Sequence, residues 1–207
     1  MQAKEENLWP PEVPDIFELL KQPAFAIINR PMSPSVVYVG GIHIKEPQPL
    51  PQELADWLDG SGEEGFIFFS LGTVIKAEHL KQEHISSILK VFGSLKQRIL
   101  WKWNSEIKNL PSNVKISSWL PQQDILAHRK IRLFISHGGL FGSQEAMYFE
   151  VPVLGMPVFL DQHMNIDEIV SQGWGKSLAW DDLTEDTFGE AIQDILSNSR
   201  LVKPDLD

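Results

Sequence analysis

The sequence predicts an α/β domain with a Rossmann-like doubly wound parallel sheet, and three observations carry that expectation. Short runs rich in β-branched and aromatic residues recur, among them FIFFS, RILWKW, VKISSWL, RLFISH and VPVLGMPV. Amphipathic stretches of helical period separate most of them. Continuous β-rich runs that alternate with amphipathic segments imply a parallel sheet buried by helices on both faces, because parallel neighbours need crossover helices. The 207 residues, 43% hydrophobic and 22% charged, suffice for one such core and a small appendage.

The elements follow in order. Residues 1–34 hold Pro10, Pro11, Pro14, Pro23, Pro31 and Pro34 around a helix-like DIFELLKQ and a strand-like FAIIN, and read as a linker or lead-in. The domain proper is expected over 35–207, beginning with SVVYVGG as strand and FIFFSLG as the next. In HLKQEHISSILKVFGSL, Leu80, Ile85, Ile88, Leu89 and Phe92 keep a helical period. RILWKW, VKISSWL, RLFISH, VPVLGMPV and KSLAW read as further strands, and PQQDILAH, GSQEAMYF, DQHMNIDEIVSQG and TEDTFGEAIQDILSN as helices. Thr184, followed by Glu185 and Asp186, opens the last helix as an N-cap with acids in the first turn.

Several function classes lose ground on composition. A formal net charge of −10 argues against a nucleic-acid surface, although backbone N–H groups and one or two cations can still hold a small anion. Cysteine is absent, so no disulfide or thiolate metal site is expected. The chain has no secretory signal pattern and no uninterrupted apolar run of about 18 residues. His79 and His84 in EHLKQEH do not share a helix face as a zinc helix requires, and a solvated face is expected there. G-x-G-x-x-G after the first strand, G-x-S-x-G, H-E-x-x-H and the P-loop pattern are all missing, which disfavours hydride transfer among other chemistries.

Ligands in doubly wound folds sit outside the carboxyl ends of the strands, so strand-to-helix junctions are the candidate site loops. FSLGT offers Ser70, Gly72 and Thr73 as donors to a phosphate, or a plain turn. SWLPQQD brings Trp119 and Gln122 together, an aromatic face and an amide suited to a nucleobase and ribose, with core packing the alternative for the indole. In FISHGGLFGSQEA, the histidine fits a catalytic role, an anion contact or a glycine turn without chemistry. Gly138 and Gly139 permit close backbone approach, Gly142 and Ser143 stand where a helix is expected to begin, and Glu145 lies where it can accept from vicinal hydroxyls. FLDQHMN supplies Asp161 and Gln162, a cap or a grip on sugar hydroxyls.

Taken in order, FFSLGT, ILWKW, WLPQQDILAH and FISHGGLFGSQEAMYFEVPVLGMPVFLDQHMN resemble the donor-binding half of the UDP-dependent glycosyltransferases. The resemblance runs from about Arg30 onward, and GGIHIKEPQPLPQELADWLDG is most similar to invertebrate members of the UDP-glucuronosyl/glucosyltransferase family. It implies the C-terminal half of a GT-B enzyme, with the acceptor domain and a membrane anchor lying outside this chain. It also implies roles: Trp119 stacking on uracil, the Leu120 backbone at its edge, and Gln122 and Glu145 on the ribose. His137, Gly139, Gly142, Ser143, Ser70 and Thr73 would lie along the diphosphate, with Asp161 and Gln162 on the transferred sugar. Phe141 departs from an Asn found in many members, and Lys102 stands where vertebrate members resemble one another in having Arg, keeping charge without the bidentate fork.

The implied reaction is inverting transfer of a hexose, glucose favoured, from a UDP-sugar to a small lipophilic acceptor. A histidine of the missing domain would take the acceptor's proton as its oxygen attacks the anomeric carbon and UDP departs, which leaves His137 as an anion contact. No metal or cofactor is expected, the UDP-sugar being a co-substrate. The resemblance further implies an endoplasmic reticulum membrane parent with this domain lumenal, and leaves room for a homodimer. A glucuronosyl donor and a non-catalytic donor-binding or dimerising role are the alternatives. Epimerases and phosphorylases of similar architecture lack the signature from Trp119 to Gln162.

Overall fold

A computed structural model describes residues 40–73 and 80–198. The chain divides into two compact units, Met1–Ile42 and His43–Asp207. DIFELLKQ, FAIIN, most of SVVYVGG and His79 lie outside the described residues, and so does the lead-in expected over 1–34. Gly40 and Gly41 form part of a turn.

The second unit runs α1 (Gln52–Asp59), β1 (Phe66–Ser70), α2 (Gln82–Ser94), β2 (Arg98–Lys102), β3 (Val114–Ser117), α3 (Gln122–Leu126) and β4 (Ile131–Ser136). It continues with α4 (Leu140–Tyr148), β5 (Val153–Gly155), α5 (Gln162–Ser171), β6 (Gly175–Ser177), a 3-10 turn (Trp180–Asp182) and α6 (Glu185–Ser197). The six strands form one sheet in the order β3-β2-β1-β4-β5-β6, and every pairing is parallel. The winding direction reverses between β1 and β4. That reversal opens a crevice at the carboxyl edge where ligands bind in such folds.

Alternate residues of β1 serve opposite faces. Ile67 and Phe69 join Ile99, Trp101, Leu133 and Ile135 in a core that also takes Ile85, Ile88 and Phe92 of α2 and Phe188, Ile192 and Ile195 of α6. Phe69 stacks on Trp101 at 5.1 Å between centroids, and Phe92 meets the same indole edge-on at 5.8 Å. On the other face Phe68 stacks on Phe134 at 5.2 Å. A Cβ at Gly155 would run into the Ile166 side chain, so α5 lies close against β5 on that side.

Three local findings qualify the sequence expectations. The helix α1 had not been predicted as a separate element; its Leu54 and Leu58, one turn apart, are the buried residues that anchor it. No helix separates β2 from β3. The connection 103–113 ends at Asn113, whose side-chain amide donates to the carbonyls of Phe92, Leu95 and Gln97 at 2.8, 3.2 and 3.0 Å and so seals the end of α2. His84, expected on a solvated face, is buried, its ring 5.8 Å from that of Trp180. The helical period holds, but the 3-10 turn that covers His84 comes from far along the chain.

Thr184 caps α6 as expected: its Oγ1 accepts from Thr187 N at 3.1 Å, and Thr187 Oγ1 accepts from Thr184 N at 2.9 Å. Thr184→Ala is therefore expected to lower stability by about 1 kcal/mol in urea denaturation, with an unchanged m-value. Gly175→Ala should be more severe, because the added methyl would overlap the Val153 carbonyl on the neighbouring strand and the Ile169 side chain. A loss of roughly 1–3 kcal/mol or more is expected, read as a lower unfolding midpoint.

Candidate functional site

Two matching turns frame the crevice. Ser70 and Ser136 end β1 and β4 and stand opposite each other in the register. Each hydroxyl accepts from the backbone N–H two residues on, Gly72 N to Ser70 Oγ at 3.3 Å and Gly138 N to Ser136 Oγ at 3.2 Å. Both glycines have positive φ, +75° and +83°, which side-chain-bearing residues rarely adopt. Each strand thus turns sharply off the sheet, and each serine keeps its own proton to donate.

His137 stands in this frame. A Cβ at Gly72 would come within 2.7 Å of its Cε1, and a Cβ at Gly139 within 2.7 Å of its Nε2, so the imidazole fills the space that the two glycines leave. Burial pushes the His137 pKa below the usual histidine range; the Asp161 charge opposes this, the Lys102 charge adds to it and the Ser70 main chain opposes it. The neutral ring can donate one N–H without carrying charge.

The helix after this turn begins at Leu140, two residues before the start expected from sequence, with Gly139 in extended conformation as N-cap. Gly142 therefore lies inside the first turn. Ser143 N donates to Gly139 O at 3.0 Å, and the Ser143 hydroxyl is buried without a hydrogen-bond partner. The N–H groups at the start of α4, at the carboxyl edge of β4, have no helical acceptor and carry the positive end of the helix dipole.

Glu145, on α4, is buried to 6% exposure. Gln122 Nε2 donates to its Oε2 at 2.7 Å and Gln123 Nε2 to its Oε1 at 3.1 Å. The structure thus joins Gln122 and Glu145 directly, and adds Gln123. Gly142 stands beside the same amide, since a Cβ there would lie 3.3 Å from Gln122 Nε2. Trp119 precedes this group with 70% of its surface exposed, its carbonyl held by Ser117 Oγ at 2.8 Å, while the Leu120 side chain turns into the core. A cavity of about 200 Å³ brings Gly72, Thr73, Lys102 and Trp119 together across the ends of β1, β2 and β3.

The last junction closes the crevice. Gln162 Oε1 accepts from the backbone N–H groups of Val158 and Phe159 at 2.9 and 3.1 Å, which shapes the loop and leaves its amide N–H groups for other partners. Asp161 is exposed at the head of α5 and makes no side-chain cap, contrary to the capping alternative. Its Oδ2 instead accepts from Asn165 Nδ2 at 3.0 Å, and that amide also donates to Gly138 O at 2.8 Å. Asn165 ties the Asp161 loop to the His137 loop. Leu160, 80% exposed at φ +57°, holds the bend before Asp161 in a conformation that disfavours non-glycine residues by about 1–2 kcal/mol.

Gln123, Asn165 and Ser136 were not singled out from sequence. The only signals available were that Gln123 neighbours Gln122, that Asn165 falls one turn after Asp161, and that Ser-x-Gly occurs at two strand ends. Among the described residues no cluster of metal-ligating side chains occurs, and no helix is long and apolar enough to cross a membrane.

The chain matches the family model described as UDP-glucoronosyl and UDP-glucosyl transferase over residues 17–203. UDP-glucosyltransferase 2 of Dactylopius coccus is 38% identical over 195 residues, covering 90% of this chain and 38% of the relative. UDP-glycosyltransferase UGT4 of the same insect is 44% identical over 172 residues, covering 82% and 33%. A 2-hydroxyacylsphingosine 1-beta-galactosyltransferase of Rattus norvegicus is 39% identical over 170 residues, covering 82% and 31%. The chain therefore spans about a third of the length of these relatives. Among solved structures, Os79 from O. sativa aligns with a TM-score of 0.64 at 22% identity, over 72% of this chain and 36% of its own. The glycotransferase of kitacinnamycin aligns at 0.62 and 24%, over 76% and 41%. The sheet described above is accordingly the fold of one half of a GT-B glycosyltransferase, and the extent of the family match settles the kinship that the junctions suggested: this chain belongs to the UDP-glucuronosyl and UDP-glucosyl transferase family.

Proposed function

We propose that the crevice binds a UDP-sugar, and that the chain is the donor-binding part of an inverting glycosyltransferase. The observation that carries this reading is the convergence of a 70%-exposed indole, a Gln–Glu pair and a glycine-framed histidine on the carboxyl edge at the winding reversal. Trp119 offers a face for uracil, with the Leu120 backbone at its edge. Gln122 and Glu145 serve the ribose. The helix N-terminus at Gly139 and Gly142, together with Ser70, Thr73, His137 and Lys102, meets the diphosphate, so charge on departing UDP is stabilised by donors already in place and no metal is called for. Ser143, whose hydroxyl has no partner among the described residues, is assigned to the diphosphate with them. Asp161 and Gln162 orient the hexose.

In the whole enzyme, an acceptor hydroxyl gives its proton to a base outside this chain, attacks the anomeric carbon and inverts it as the bond to UDP breaks. Glucose is the favoured sugar, supported by the relative named a glucosyltransferase at 38% identity, and small lipophilic compounds are the favoured acceptors. The parent is proposed to reside in the endoplasmic reticulum membrane with this domain lumenal, and to pair as a homodimer.

Calorimetric titration should give saturable binding of UDP and of UDP-glucose, the latter tighter than UDP-glucuronate. No heat at millimolar nucleotide overturns the reading. Trp119→Ala is expected to weaken UDP by roughly 1–3 kcal/mol, and unchanged affinity would take the indole out of the site.

The buried His137 makes a further expectation. Its folded pKa lies below the ordinary value of 6.5, so the unfolded chain takes up a proton there more readily. The stability linked to the neutral ring is fully present above that value and is lost as pH falls through it toward the lower folded pKa. Between about pH 7.5 and about pH 5.5 the wild-type midpoint should fall more steeply than that of His137→Asn. Parallel slopes would show that the ring is not held neutral by burial.

A further inference from the structure

A residue remote in sequence also approaches the Glu145 carboxylate. His43, in the segment leading into α1, places Nε2 3.4 Å from Glu145 Oε1 without hydrogen-bond geometry, and its ring packs on Phe141 at 4.5 Å between centroids with a 40° tilt. Both imidazole nitrogens are closed to solvent and neither makes a hydrogen bond. Buried polar atoms without partners are unfavourable, and a few tenths of an ångström of closure would pair Nε2 with the carboxylate. Binding-site hydrogen bonds commonly tighten in this way when a ligand arrives.

The segment that carries His43 is itself fixed to the nucleotide side of the crevice. Gln123 Oε1 accepts from Lys45 N at 3.0 Å, and Gln123 Nε2 reaches both His43 O at 3.3 Å and Glu145 Oε1 at 3.1 Å. Asp124 Oδ1 accepts from Gln48 N at 2.7 Å. One amide thus holds the His43 backbone and the carboxylate together. A carboxylate offers about four acceptor sites; Gln122 takes one on Oε2 and Gln123 one on Oε1, so with His43 closed onto Oε1 one site on Oε2 is left for a ligand.

We propose that His43 and Phe141 form an aromatic clamp that positions Glu145 for the ribose hydroxyls of the nucleotide. His43 is the N–H donor that fixes the carboxylate, and Phe141 is the plate that fixes the imidazole. Both are positioning residues. The inference rests on the donor reading above, in which Glu145 accepts from ribose. It gives Phe141, which stands where the resemblance puts an Asn in many members, a role toward the ribose side in place of a contact to the diphosphate.

The test is calorimetric titration of the chain with UDP and with 2′,3′-dideoxy-UDP, which lacks both hydroxyls. Wild type should prefer UDP. His43→Ala should weaken UDP about tenfold and leave dideoxy-UDP unchanged, which also shows that the variant is folded. Phe141→Ala should do the same more weakly, by about threefold, and His43→Gln, which keeps a side-chain N–H, should recover most of the loss. Equal weakening of both nucleotides by His43→Ala, or no change in either, overturns the clamp while the donor reading stands. A wild-type chain that binds both nucleotides alike overturns the ribose role of Glu145 and the clamp with it. One that binds neither overturns the donor reading itself.

Discussion

The geometry of the site depends on the pair of Ser-x-Gly turns at the ends of β1 and β4. Parallel pairing sets Ser70 opposite Ser136, and each hydroxyl bends its own chain off the sheet by accepting the N–H of a glycine with positive φ. The sheet reverses its winding at the same place, so the two chains leave in opposite directions and the space between them stays open. The second turn also delivers His137 and the start of α4. If the turns were looser, the imidazole would lose the gap between Gly72 and Gly139, and the helix N-terminus would no longer be aimed at the edge.

The rest of the crevice is held by side-chain amides. Gln122 and Gln123 hold Glu145, Gln162 holds its own loop, and Asn165 joins the Asp161 loop to Gly138. An amide both donates and accepts, so one residue can brace two loops without adding a charge. That arrangement suits a chain of formal net charge −10 that is proposed to bind an anion. The positive character is local, from Lys102 and the helix dipole, while burial keeps His137 neutral.

Much of this was legible beforehand. The strand and helix periods, the four junctions and the Thr184 cap follow from local pattern, and local pattern is what periodicity and capping chemistry report. His84 shows the limit: its helix follows from the local period, yet its burial depends on a 3-10 turn at Trp180 that no local signal connects to it. Ser143 shows another. Its place near a helix start was evident, but the helix begins two residues earlier, at Leu140, and the hydroxyl is buried without a partner.

The sequence by itself determined the fold class, the kinship and most of the residue types at the crevice, because apolar period, glycine placement and the ordered junction signature are properties of short segments. The tertiary structure decided which of those segments meet. Strand order brought Ser70 to Ser136, and the packing of α3 beside α4 put two glutamines on one carboxylate. The segment before α1 was folded back so that His43 reached Glu145. Such meetings arise from crossover connections and helix packing over long separations, which residue spacing along the chain does not encode.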